Sequence, residues 1–220
     1  MKKFSLTILL IYLILILPGC KKQTFDPLEY VDPFICTEGD NGQLYPGASY
    51  PFGLVQLSPE TEGNSHVGYY YEDEYIEGFS HLRIPGAGSK GKGGGILIKP
   101  GTGNFSSRIS DFREKYIKES ENASPGYYKV VLNSGVKVEL TVSEKAGFHR
   151  YTFPDEIKKD KYIVIDLSHS YESMLDASIN IRGETEITGM IKALNNKSGS
   201  YHRMYYAIIS DNPFKSYITW

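Results

Sequence analysis

The stretch GYYKVVLNSGVKVELTVSEKAGFHRYTFP, residues 126–154, constrains this chain more than any other. Tyr128, Val130 and Leu132 alternate on one side of Asn133-Ser134-Gly135, and Val136, Val138, Leu140 and Val142 continue the alternation beyond it. A period of two is that of a strand with one buried face; a helix would scatter these side chains around its circumference. Gly135 can supply the positive φ that a tight hairpin turn requires. FHRYTF at 148–153 adds a third strand.

Further strand-like runs obey the same logic. FGLVQLSPE at 52–60 alternates and is expected to end at Pro59, and GGILIKP at 94–100 is closed by Pro100-Gly101. Residues 161–170, 177–183, 185–194 and 202–211 add four more, with turn residues between them. Residues 30–53, dense in Gly, Pro, Asp and Thr, read as loops. Helical signal is confined to 111–121, where Phe112, Tyr116 and Ile117 have helical spacing, with a loop or a strand as the alternatives. The expected class is all-β, a two-sheet antiparallel β-sandwich.

GAGSKGKG at 86–93 matches a dinucleotide-binding fingerprint as a string, and lacks only the Ser or Thr of a P-loop at Gly93. Both motifs must open a helix, so that its N-terminus faces the phosphates. Here Gly91-Lys92-Gly93-Gly94-Gly95 leads into Ile96-Leu97-Ile98. Each glycine costs a helix about 1 kcal/mol relative to Ala, and no βαβ alternation surrounds the loop. A nucleotide site is therefore excluded. The remaining readings are a connection between strands whose backbone can approach a sugar hydroxyl or a neighbouring domain closely, or a plain surface loop.

The first twenty residues stand apart. Lys2 and Lys3 precede an apolar run from Leu6 to Leu17, too short for a spanning helix, which needs about 20 residues. Leu17-Pro18-Gly19-Cys20 resembles a lipobox, so residues 1–19 are expected to be a lipoprotein signal peptide and Cys20 its lipidation site. A plain cleaved leader and an uncleaved anchor are the alternatives, and residues 20–29 read as a tether. Lys21 and Lys22 favour an outer-membrane or cell-surface location, a periplasmic one being the alternative. Cys36 is then left alone, and a small buried thiol is the expected reading, with a ligand-facing one as the other. The formal charge is −2, more negative once Lys2 and Lys3 leave, which argues against nucleic acid. Eighteen tyrosines against one tryptophan suit a carbohydrate-handling surface and ordinary strand preference equally.

Three stretches together resemble one family. YVDPFICTEGDNGQLYPGASYPFGLVQLSPET at 30–61 resembles the opening of family 92 glycoside hydrolases. GYYYEDEYIEGFSHLRIPGAG and GGGILIKPGTG, within 68–103, resemble the family's next segment, and YYAIISDNPFKSYITW at the C-terminus is similar to a late strand of the same N-terminal domain. The resemblance implies a galactose-mutarotase-like β-sandwich over 30–220, C-terminally incomplete and without the catalytic (α/α)6 barrel. Family members are mostly bacterial, calcium-dependent, inverting exo-α-mannosidases.

The family's catalytic carboxylates and calcium ligands lie in that barrel, so the resemblance implies no catalytic residue, no metal and no bound cofactor in this chain alone. It implies mannose-containing glycans as partners, an exo-α-1,2-mannosidase-like activity on mannose-rich N-glycans if a separately encoded barrel is supplied, and a membrane contact through the lipid. A non-catalytic glycan-binding surface lipoprotein is the competing reading. Inverting hydrolysis needs two carboxyls roughly 6.5–9.5 Å apart, and Asp32, Glu38, Asp40 and the Glu72-Asp73-Glu74 run offer no convincing pair. The expected pocket wall is Cys36, Thr37, Glu38, Gly39 and Asp40, then Ser80, His81 and Arg83 leading into Gly86 and Gly88. Cys36 and Glu38 stand where the family usually has glycine, and the cysteine it commonly carries after the glycine loop is missing here.

Overall fold

The computed structural model describes residues 25–39, 42–62, 65–83, 94–170, 172–195 and 198–220. The chain divides into two units, Met1–Tyr30 and Val31–Trp220. In the first, a 3-10 turn spans Pro27–Tyr30, Asp26 Oδ1 accepts from the Leu28 N–H at 3.0 Å, and the Phe25 and Tyr30 rings stack at 5.2 Å.

Apart from a 3-10 turn at Ile109–Phe112, the second unit is β-structure, antiparallel throughout. Its strands are β1 (Ala48–Ser49), β2 (Gln56–Thr61), β3 (Tyr75–Leu82), β4 (Gly94–Thr102), β5 (Glu114–Ser124), β6 (Tyr127–Leu132), β7 (Lys137–Val142), β8 (Gly147–Thr152), β9 (Lys161–Asp166), β10 (Ser173–Arg182), β11 (Glu186–Leu194) and β12 (Tyr201–Ile209). The larger sheet runs β1-β2-β3-β5-β6-β7-β8, with β4 joining β3 to β9; a three-stranded sheet runs β10-β11-β12. One edge of β3 is shared: its first residues pair with β5 and its last with β4. The larger sheet folds over at this fork, so that β7 packs against β1 and β2.

The core lies between those layers. Leu57, Ile76 and Phe79 of β2 and β3 meet Tyr128, Val130, Leu132, Val136, Val138 and Leu140 of the hairpin, all essentially inaccessible to solvent. The hairpin has the register its alternation predicts, Val130 opposite Val138 and Tyr128 opposite Leu140, with Gly135 at φ 84°.

Two ends and one element differ from expectation. Pro59 and Pro100 lie inside β2 and β4 rather than ending them. β1 pairs only with Gln56 and Leu57, and β3 pairs with β4 no further than Ile98. Past those points each strand keeps a single ladder, and a residue without an N–H is tolerated on an open edge. The helix-like segment 111–121 is largely β5. Its pairing with β6 slips between Ile117 and Asn122, where Ser120 Oγ accepts from the Val131 N–H at 2.8 Å and donates to the Ile117 carbonyl at 2.6 Å. The irregularity breaks the period of two and leaves apolar spacing that mimics a helix.

A buried carboxylate stitches this strand to its neighbours. Glu121 Oε1 accepts from Tyr128 Oη at 2.6 Å and Tyr69 Oη at 2.8 Å, and Lys118 Nζ lies 2.8 Å from Oε2. Burial, then the Glu121 charge, raises both phenols well above their ordinary range, so they stay protonated donors. Tyr128→Phe is expected to lower stability by about 1.5–3 kcal/mol, the range for a hydrogen bond to a charged group, read in urea denaturation.

Candidate functional site

The sequence FSHLR ends β3, and the pleat splits it between two environments. Phe79 and His81 point between the sheet layers, Phe79 packing 6.4 Å from the Tyr151 ring and His81 5.0 Å from the His149 ring. Ser80 points to the other face with Ser58 and Glu60 of β2, in the register Ser58–Ser80 and Glu60–Gly78. Arg83, just past the strand, folds onto that same face.

There it meets Glu60. Arg83 Nη2 lies 2.8 Å from Glu60 Oε1, and both side chains are fully buried. The guanidinium also donates to the Ser58 carbonyl at 2.7 Å, the Pro59 carbonyl at 3.0 Å, Ser80 Oγ at 2.9 Å and the Val67 carbonyl. Ser80 Oγ donates to Glu60 Oε1, and His169 Nε2 lies 3.5 Å from Glu60 Oε2. Burial alone would raise the Glu60 carboxyl; Arg83, then His169 and Ser80, outweigh it and hold the pKa below the usual value. Burial pulls the Arg83 pKa down while Glu60 opposes the fall. A charged pair this deep persists only because nearly every donor finds an acceptor.

His81 belongs to a second chain of bonds. Its Nδ1 lies 2.8 Å from the Ile96 carbonyl and its Nε2 2.9 Å from His149 Nε2; His149 Nδ1 lies 2.7 Å from Tyr151 Oη. A carbonyl only accepts, so His81 carries its proton on Nδ1 and its Nε2 is an acceptor. His149 must then donate from Nε2 and accept at Nδ1 from the Tyr151 hydroxyl. Both rings are neutral in this arrangement. Burial is the main cause of their lowered pKa values, helped by Arg83 for His81 and by His81 for His149.

The first candidate loop is a folded turn. Thr37 is buried, donating from Oγ1 to the Phe34 carbonyl at 2.7 Å, and its own carbonyl accepts from the Tyr71 N–H at 2.9 Å. Cys36 is exposed rather than buried. Its carbonyl takes the Gln43 and Leu44 N–H groups at 2.8 and 3.1 Å and its φ is 60°, a conformation that turns the thiol outward. This is the left-handed region glycine favours, in keeping with the glycine that the resemblance implies there. Glu38 and Gly39 are exposed beside it.

The two candidate segments share a support, residues 65–71, which takes the Thr37 carbonyl at Tyr71 and the Arg83 guanidinium at Val67. Thr37, Ser80 and Arg83 are thus held inside, His81 lies between the layers, and Cys36, Glu38 and Gly39 reach the surface. Asp40, Gly86, Gly88 and Cys20 lie outside the described residues. β3 stops at Leu82 and β4 starts at Gly94, its partner across the ladder, so the glycine-rich segment joins two antiparallel strands and no helix follows it. Among the described residues there is no group of three or more His, Cys, Asp or Glu side chains that could hold a metal ion.

Sequence reasoning did not single out Glu60, His149 or His169. Glu60 sits in a run that reads as the end of a strand, and only the β2–β3 register shows that it lies beneath Arg83. His149 alternates correctly within FHRYTF, but its partner is sixty-eight positions away.

A family model described as the glycosyl hydrolase family 92 N-terminal domain matches residues 30–220. A secreted glycosidase of Arthroderma benhamiae, itself described as uncharacterized, is 31% identical over 173 residues, 73% of this chain and 22% of that protein. A family 92 α-mannosidase structure from Bacteroides thetaiotaomicron superposes with a TM-score of 0.75 at 30% identity, covering 86% of this chain and 26% of that one. The family 92 inverting mannosidase from strain VPI-5482 of the same species shares the fold, with a TM-score of 0.61 at 20% identity over 84% of this chain and 29% of its own. The chain thus spans roughly a quarter of the length of these relatives. The chain therefore belongs to glycosyl hydrolase family 92, and its residues 30–220 match the family's N-terminal domain.

Proposed function

We propose that this domain forms one wall of the sugar pocket in an exported α-mannosidase-type glycosidase acting on mannose-rich glycans. The observation that carries the reading is the division of labour among the candidate residues. Thr37, Ser80 and Arg83 are buried and anchored, and they fix a turn that exposes Cys36, Glu38 and Gly39, together with the strand end that delivers the glycine-rich connection. Exposed backbone and short side chains on a rigid support can present N–H and C=O groups to sugar hydroxyls with little ordering cost.

In this reading the acid and base of an inverting hydrolysis come from outside these residues. The deepest carboxylates, Glu60 and Glu121, are committed to Arg83 and Lys118 and cannot trade protons with a substrate. Export rests on the leader-like N-terminus and on the secreted relative, and attachment to a membrane on lipidation of Cys20.

The test uses the purified chain in calorimetry against mannose and α-1,2-mannobiose, and in turnover assays on aryl α-mannosides with calcium. Millimolar binding without turnover is the expected result. Turnover by the chain alone would overturn the pocket-wall reading, and the absence of heat at tens of millimolar sugar would remove the sugar contact.

A further inference from the structure

A cavity of about 360 Å³ is floored by β4 and β9, on the far side of His169 from the Glu60–Arg83 pair. Two cross-strand pairs make its floor, Leu97 with Asp166 and Lys99 with Val164. Glu77 of β3, Phe112, and Ser168 to Ser170 beyond β9 complete it. None of Cys36, Thr37, Ser80, His81 or Arg83 lines it.

Lys99 is unusual in this setting. The residue is 4% exposed, yet among the described residues no hydrogen bond or ion pair reaches its Nζ. The most deeply buried charges elsewhere in the domain are paired, Arg83 with Glu60 and Glu121 with Lys118. A largely desolvated amine that lines a cavity without an anionic partner loses its proton more readily, the arrangement by which lysines become nucleophiles. Asp166 stands opposite Leu97, its Oδ1 held by the Ser168 N–H at 2.8 Å and the Ser168 hydroxyl at 2.7 Å, which fixes the carboxylate in the same cavity.

We propose that Lys99 is a reactive amine that condenses with small aldehydes admitted to this cavity. The neutral amine attacks the aldehyde carbon, a C–N bond forms, and the carbonyl π pair moves to oxygen, which takes a proton. Asp166 accepts the proton shed by the nitrogen. The C–O bond of the carbinolamine then breaks as water leaves with a returned proton, and the nitrogen lone pair closes the C=N bond. The balance is aldehyde plus amine to imine plus water, with no oxidant or reductant. Glu114 from β5 and Glu77 from β3 are the anions whose charge acts on Lys99 and favours the cationic imine; Asp166 lines the same cavity, as does Arg113, which is itself paired with Glu62 at 2.8 Å. His169 faces the same space from beyond β9.

The protonation state agrees. Burial lowers the Lys99 ammonium to about 8, against the opposing charges of Glu114 and Glu77, so a substantial fraction is neutral near neutrality.

The experiment treats the full chain with glycolaldehyde and cyanoborohydride and locates the reduced adducts by peptide mass spectrometry. Lys99 is expected to be alkylated at least about 10-fold faster at pH 7.5 than the surface residues Lys158 and Lys215, with a rate that rises through a midpoint near pH 8. Labelling of Lys99 no faster than of those two overturns the proposal. So does a Lys99 rate that tracks an ordinary lysine midpoint above pH 10.

Discussion

Arg83→Met is expected to cost this domain about 3–5 kcal/mol in urea denaturation, because it removes one partner of a buried ion pair and leaves the other charge stranded. The geometry makes the loss unusually complete. Arg83 donates to three carbonyls, to Ser80 Oγ and to Glu60, so truncation takes the compensating cation from a buried carboxylate and a donor from several acceptors together. Glu60→Gln with Arg83 intact should also destabilise strongly, since it strands the guanidinium. The double change Glu60→Gln/Arg83→Met is expected to recover part of the loss, the mark of a pair whose worth lies mainly in not being broken. A single-variant loss under about 1 kcal/mol would mean that the pair behaves as a solvated surface bridge. Because Arg83 sits at the start of the glycine-rich connection, sugar binding should weaken along with stability.

Stability is also expected to fall on acidification from pH 7 to pH 5, through His81 and His149. Their folded pKa values lie below the 6.5 of a free imidazole, His149 well below. Above pH 6.5 both rings are neutral in folded and unfolded chain alike, and they contribute no pH dependence. Below it the unfolded chain binds a proton on each ring and the folded chain does not. Stability therefore declines as pH drops from about 6.5 toward the folded pKa values, by up to about 1.4 kcal/mol per pH unit for each imidazole. Protonating His81 would also leave two N–H donors facing each other across the 2.9 Å Nε2–Nε2 contact, whereas protonating His149 would place its second N–H against the Tyr151 hydroxyl. His149→Phe should roughly halve the slope. A stability curve flat between pH 7 and pH 5 would contradict the neutral-pair assignment. Glu60 acts in a separate window: its lowered pKa favours the folded state above pH 4.5, and that contribution is lost only as the pH falls further.

The fold was legible where its cause was local. Residues 126–154 announce a hairpin because alternation and a glycine turn are properties of neighbouring residues, and the register found is the one the alternation requires. The glycine-rich segment could be stripped of its nucleotide reading for the same reason, since the glycines and β-branched residues after Gly91 cannot open a helix. The site was less legible. Cys36 reads as a small buried residue, yet its outward turn comes from two hydrogen bonds to its carbonyl from Gln43 and Leu44. Ser80, His81 and Arg83 read as one short motif, but the pleat sends His81 between the layers and Ser80 and Arg83 to the opposite face.

The sequence by itself determined that this chain is antiparallel β, where its hairpin turns, and that GAGSKGKG connects strands. Its resemblance to family 92 was carried by long stretches that need no third dimension to be read. Only the tertiary structure decided that the helix-like segment is strand from Glu114 onward, that Glu60 is the buried counter-ion of Arg83, that His81 accepts a hydrogen bond from His149, and that Lys99 is buried with no bonded partner among the described residues. The physical reason is that backbone periodicity is set by residues one or two apart. The ionisation and pairing of a buried side chain depend instead on which distant strand the folding sheet brings opposite it.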